Sequence, residues 1–160
     1  MTSTDSGRRN AVIDETTVFD SPVVERLVSH WDTLRKDRMA PKRAEVDPLD
    51  LFEFLPNISM IKVIDEGSDF EFSLLGTGLA KLYGLVTRKI VSQVDCAPET
   101  KDALLDALKL CVESKKPVHG LWDKARTLKL VEVNLEVALV PISEDGKLIS
   151  RVLGYHAVLD

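Results

Sequence analysis

A chain of 160 residues with a formal charge of -5 has room for one domain that buries roughly 65 to 70% of its unfolded surface. It lacks the positive field on which phosphate-backbone affinity rests, so no nucleic-acid partner is expected. The two cysteines, Cys96 and Cys111, fit no metal-ligand spacing, and a chain of this size folds without a disulfide, so both are expected as reduced thiols and no metal site is expected.

Residues 1–20 are polar and hold no apolar run of signal-peptide type, and nothing later approaches a membrane span. The expectation is a cytoplasmic protein without membrane insertion. Residues 1–20 are expected to form a flexible tail ahead of a single domain over 21–160, with a helical segment over 21–56 and a core over 57–160.

Ser21 is a helix cap, and Pro22 suits the first helical position because its missing N–H has no partner there. Val24, Leu27, Val28, Trp31 and Leu34 follow at i, i+3, i+4, i+7 and i+10, an apolar stripe down one helix face. Arg35, Lys36 and Arg38 suit the negative end of the helix dipole, and Pro41 stops propagation. Asp47 and Pro48 repeat the cap-and-proline signal and start a helix of about two turns that runs towards Pro56.

Residues 58–64 are apolar and β-rich, residues 66–68 are turn material, and Phe70, Phe72 and Leu74 alternate with polar neighbours, which together predict a hairpin. Gly76-Thr77-Gly78 breaks the second strand. Leu79, Leu82 and Tyr83 then suggest one or two helical turns before Gly84. Pro98 opens a longer helix with Leu104, Leu105, Leu108, Cys111 and Val112 on one side. Three strand-like stretches follow over 118–124, 128–142 and 150–159. In the second of them Val131, Val133, Leu135, Val137 and Leu139 alternate with Glu132, Asn134, Glu136 and Ala138, the pattern of a half-buried antiparallel strand.

Two strands, a helical crossover and three strands define an α+β fold: a five-stranded antiparallel sheet with helices on one face and an N-terminal amphipathic helix. The order and spacing of Trp31, Leu34, Arg35, Arg38, Pro41, Arg43, Asp47, Pro48, Leu55 and Pro56, followed by Phe70, Phe72, Leu75, Gly76, Thr77 and Gly84, resemble a variant PAS family of small bacterial proteins. The resemblance spans residues 30–91. Arg88 stands where such families often carry glycine.

That resemblance implies a stand-alone sensory or regulatory module of bacterial signalling. Such a module binds a small molecule between sheet and helices, docks a protein partner, or does both. With the last strand reaching residue 160, its output is expected to pass through a noncovalent partner. It further implies that Arg38, Pro41, Arg43, Asp47, Pro48, Gly76, Thr77 and Gly84 are structural positions. The helix before the first strand often mediates dimers in such proteins, which makes Val24, Leu27, Val28, Trp31 and Leu34 candidates for a homodimer or partner interface, against packing on the chain's own sheet.

The cofactor is left unknown. Photoactive flavin is disfavoured because Cys96 sits in Val-Asp-Cys-Ala-Pro and not in the required motif, and haem because residues 79–116 contain no histidine. Leu79, Tyr83, His119, Trp122 and His156 are the candidate ligand contacts, the aromatic residues as rings with a polar tip. Their alternative is core filling. No catalytic residue is assigned and the protein is expected not to be an enzyme. The competing class is a small hydrolase with Cys96, His119 and Asp123, or with Cys111 and His156, although neither cysteine lies in a nucleophile turn. A third class is a structural adaptor without a ligand. Whether either cysteine has a redox role is open.

Overall fold

The computed structural model describes residues 8–159. Its strands are β1 (Arg8–Val12), β2 (Ile58–Ile64), β3 (Asp69–Leu75), β4 (Val118–Arg126), β5 (Glu132–Ile142) and β6 (Arg151–Leu159). Its helices are α1 (Pro22–Arg35), α2 (Ala80–Tyr83) and α3 (Pro98–Ser114). The strands form one antiparallel sheet in the order β1-β4-β5-β6-β2-β3. The expected five strands are therefore all present, with a sixth added at the β4 edge.

That sixth strand corrects the expectation of a flexible tail over 1–20, of which residues 1–7 lie outside the described residues. Arg8 pairs with Trp122 and Val12 with Val118, so β1 supplies partners to the backbone groups along the outer edge of β4. Its side chains add three anchors: Arg8 bonds Asp106 at 2.8 Å, Asn10 donates to the Ala103 carbonyl at 3.2 Å, and Asn10 Oδ1 accepts from Trp122 Nε1 at 2.8 Å. A short polar strand held by backbone pairing and polar contacts has no apolar alternation to betray it.

The sheet is covered on both faces. On the inner face α2 and α3 bury Phe70, Phe72, Leu104, Leu108, Trp122, Leu135 and Leu139. On the outer face α1 rests on β5 and β6, with Val24, Leu27 and Trp31 packed against Ala138, Val140 and Leu153. The stripe expected as an interface is thus spent on the chain's own sheet: Val24 and Leu27 are fully buried, Trp31 nearly so, and only Val28 and Leu34 stay partly exposed. Trp31 Nε1 donates to the Pro141 carbonyl at 2.7 Å, which fixes the helix over β5. For the same reason β5 is buried on both faces over much of its length, not on one as the alternation predicts.

The family-pattern residues form the joint between α1 and the sheet. Arg38 reaches both Glu45 carboxylate oxygens at 2.8 and 2.9 Å and the Leu34 and Arg35 carbonyls at 2.9 and 3.1 Å, closing the C-terminus of α1. Hydrogen bonds from Arg38 hold the Glu45 carboxyl down at about 2. Pro41 accepts from Ser143 N–H at 3.0 Å, and the Arg43 N–H donates to Glu144 at 2.8 Å. A Cβ at Gly76 would run into the Leu55 and Pro56 carbonyls, so the crossover lies against this joint too closely for a side chain. Arg88, at φ 71°, occupies the left-handed region that suits the glycine of related families.

Asp47 caps the segment Pro48–Asn57, accepting from the Leu49 N–H at 2.9 Å, and the segment winds as a 3₁₀ helix. Three residues per turn stack every third side chain on one line. Leu51 and Phe54 face the core, Asp50 and Glu53 form an acidic line, and Leu49, Phe52 and Leu55 form a third line exposed by 83, 76 and 39%.

Candidate functional site

Strand parity decides which candidate residues meet. On β4, Val118 and Trp122 belong to the inner core, whereas His119, at odd spacing from both, points to the outer face. On β6, His156 shares the inner face with Val152, while Leu153, Tyr155 and Ala157 face outwards. The structure therefore brings Leu79, Tyr83, Trp122 and His156 together between the sheet and the helical crossover, and places His119 elsewhere.

The centre of the inner group is the His156 imidazole. Tyr83 OH and His156 Nε2 are 2.7 Å apart. The Tyr83 and Trp122 rings stand edge-on to the imidazole, with centroids 5.6 and 5.3 Å away, and Phe72 lies 5.4 Å behind Tyr83. Asn57 Nδ2 donates to the His156 carbonyl at 2.8 Å and pins the backbone at this point. His156 and Tyr83 are buried, and burial drives the imidazole down to about 3. Burial, with Cys96 as a smaller cause, pushes the Tyr83 phenol well above its ordinary value. Both groups are neutral at physiological pH.

A cavity of about 90 Å³ adjoins His156. Leu79, Leu82, Leu135 and His156 line it, with the exposed residues Lys81 and Val158 among its walls. His156 Nδ1 is buried without a hydrogen-bond partner. Ser59 Oγ is another such atom, on the same face of the sheet, its residue paired across the strands with Gly154. Buried polar atoms are seldom left unpaired, and of these two residues His156 is the one that lines the cavity. A larger hollow of about 620 Å³ lies beside the start of α3, where the exposed Glu99 and Arg126 pair with each other at 3.3 Å. Neither His156 nor Ser59 is among its lining.

His119 serves a different purpose. Its Nε2 lies 2.7 Å from Glu136 Oε2, and Phe19 packs edge-on to its ring at 5.1 Å. Glu136, 0% exposed, also accepts the Asp20 N–H at 2.8 Å and the Ser21 N–H at 2.7 Å. This carboxylate ties the start of α1 to the sheet. The alternation along the strand places Glu136 on its polar face, with no role beyond that. The one available signal was the long apolar run 137–142 after it, which exceeds what a half-buried strand needs.

The cysteines do not meet the histidines assigned to them. Cys111 Sγ is directed at the Leu139 carbonyl at 3.9 Å, and burial pushes its thiol far up. Cys96 is partly buried against the inner core, and burial raises its thiol as well, whereas His119 lies across the sheet. Among the described residues there is no group of side chains that could hold a metal ion, and no helix is long and apolar enough to cross a membrane.

A family model described as a PAS domain matches residues 19–157. No curated protein matches the chain. Among solved structures the chain is similar to an RNA-binding light-oxygen-voltage receptor, with 11% sequence identity over 94% of this chain and a TM-score of 0.49. The chain spans 38% of that receptor's length.

Proposed function

Because this chain belongs to the PAS domain family, we propose that it acts as a non-catalytic sensory module that takes a small molecule into the cleft between β6 and the crossover. The observation that carries this reading is the buried, unpartnered His156 Nδ1 beside a cavity. A residue that only fills the core would have its polar atoms satisfied. The non-catalytic half of the reading rests on the raised cysteine thiols and on the sheet that stands between Cys96 and His119. The small-molecule fraction of the native cell should raise the thermal midpoint of the wild-type protein and leave a folded Leu135→Phe variant, its cavity filled, unmoved. Equal midpoints with and without that fraction in both proteins contradict the reading.

A second activity, output through a protein partner, is favoured by the ridge of Leu49, Phe52 and Leu55. A contiguous exposed apolar line of this kind is a common mark of a docking surface. The acidic line beside it, Asp50 and Glu53, selects for a partner segment with cationic flanks, even with Glu53 already bonded to Arg26 at 3.0 Å. Phe52→Glu should then lose the partner that the wild-type protein retains from its native cell. Retention by both forms removes the ridge from the account.

A further inference from the structure

The inner-face pair constrains what the cavity can hold. A neutral imidazole and a phenol together carry two polar hydrogens, and their mutual contact at 2.7 Å consumes one. If Tyr83 donates to Nε2, the second hydrogen sits on His156 Nδ1, which has no acceptor. If Nε2 donates instead, the second hydrogen is the Tyr83 hydroxyl's, equally without an acceptor among the described contacts. A phenol is the stronger acid and an imidazole nitrogen the stronger acceptor, so the first arrangement holds, and the surplus donor is His156 Nδ1–H beside a cavity with mainly apolar walls. The missing group is an acceptor.

We infer that the cleft binds a carbonyl or hydroxyl compound of about four heavy atoms, whose oxygen accepts from His156 Nδ1–H while its apolar body lies against Leu79, Leu82 and Leu135. The size follows from the volume of about 90 Å³, set against the ~150 Å³ cavity that accommodates benzene. This inference rests on the sensory reading and narrows it to a ligand class.

Acetone and xenon serve as probes, one with a carbonyl and one without. Long-range ¹H–¹⁵N NMR of the full chain should show a saturable shift of His156 Nδ1 with acetone and none with xenon, although xenon enters the cavity. His156→Phe should weaken acetone by roughly tenfold, the weight of a hydrogen bond to an otherwise unpaired buried group, and leave xenon binding in place. Should that variant fail to fold, displacement of xenon by acetone from the wild-type protein, followed by the xenon chemical shift, gives the same ranking. Entry of xenon with no preference for acetone overturns the ligand class and leaves the sensory cleft standing. Exclusion of both probes, or an ordered water only at Nδ1, overturns the site itself.

Discussion

Glu136→Ala is expected to cost roughly 3–5 kcal/mol, measured by urea unfolding at neutral pH. The carboxylate is buried and accepts from His119, Asp20 N–H and Ser21 N–H, so its removal strands three donors at once. The thermal midpoint should fall by about 2–4 °C for each kcal/mol lost. Glu136→Gln keeps one acceptor oxygen and should lose less. The combined change His119→Phe with Glu136→Leu should recover part of the loss, because replacing both partners with apolar groups removes the stranded imidazole while the two N–H groups remain unpaired. A loss under about 1 kcal/mol for Glu136→Ala would show that water reaches this site and that the start of α1 is not fastened there.

Acidification should weaken the fold well before carboxylates protonate. The unfolded His156 titrates near 6.5, whereas in the folded protein burial holds it down at about 3. Between these values the unfolded state binds more protons, so stability is complete above pH 6.5 and drains as pH falls towards 3. The slope is roughly 1.4 kcal/mol per pH unit where only the unfolded form is protonated. Glu45 acts in the same direction but lower, its contribution present above its ordinary value of 4.5 and lost as pH falls through about 2. The interval from pH 6 to 5 therefore isolates the histidine. His156→Phe should flatten the stability profile there, and an unchanged slope in that variant would assign the acid sensitivity to another group.

Much of the architecture is legible in the chain because the local signals agree with the tertiary result. Ser21-Pro22 and Asp47-Pro48 start helical segments where expected, and Ser21 Oγ does accept from the Val24 N–H, at 3.4 Å. The hairpin over 58–75 and the last three strands follow from β-rich composition, with alternation marking the second strand of the hairpin and the middle one of the three. What escaped has physical reasons. Strand β1 is polar and is selected by the free edge of β4, a fact about a distant strand and not about its own residues. The apolar stripe of α1 says only that something covers it, and the chain's own sheet does so. The 3₁₀ winding of Pro48–Asn57 turns on the difference between 3.0 and 3.6 residues per turn, which ten residues barely resolve.

The candidate cleft was half legible. Tyr83 and Trp122 announced themselves as aromatics near a crossover, and His156 as a histidine in an apolar strand, and the structure joins all three. His119 was misplaced although its parity was readable: residues 119 and 122 on one strand face opposite sides. Nothing in the sequence could show that Nδ1 of His156 lacks a partner, because that depends on the packing of β2, β6 and α2 together.

The central claim is that His156 is a sealed, neutral imidazole with one nitrogen left for a ligand. Direct ¹⁵N observation of its ring from pH 8 to 5 tests this. One neutral form that does not titrate across this range, and whose Nδ1 signal moves when the native small-molecule fraction is added, is the predicted result. An imidazole that titrates near 6.5, with ring nitrogens indifferent to that fraction, would contradict it and place His156 in contact with water.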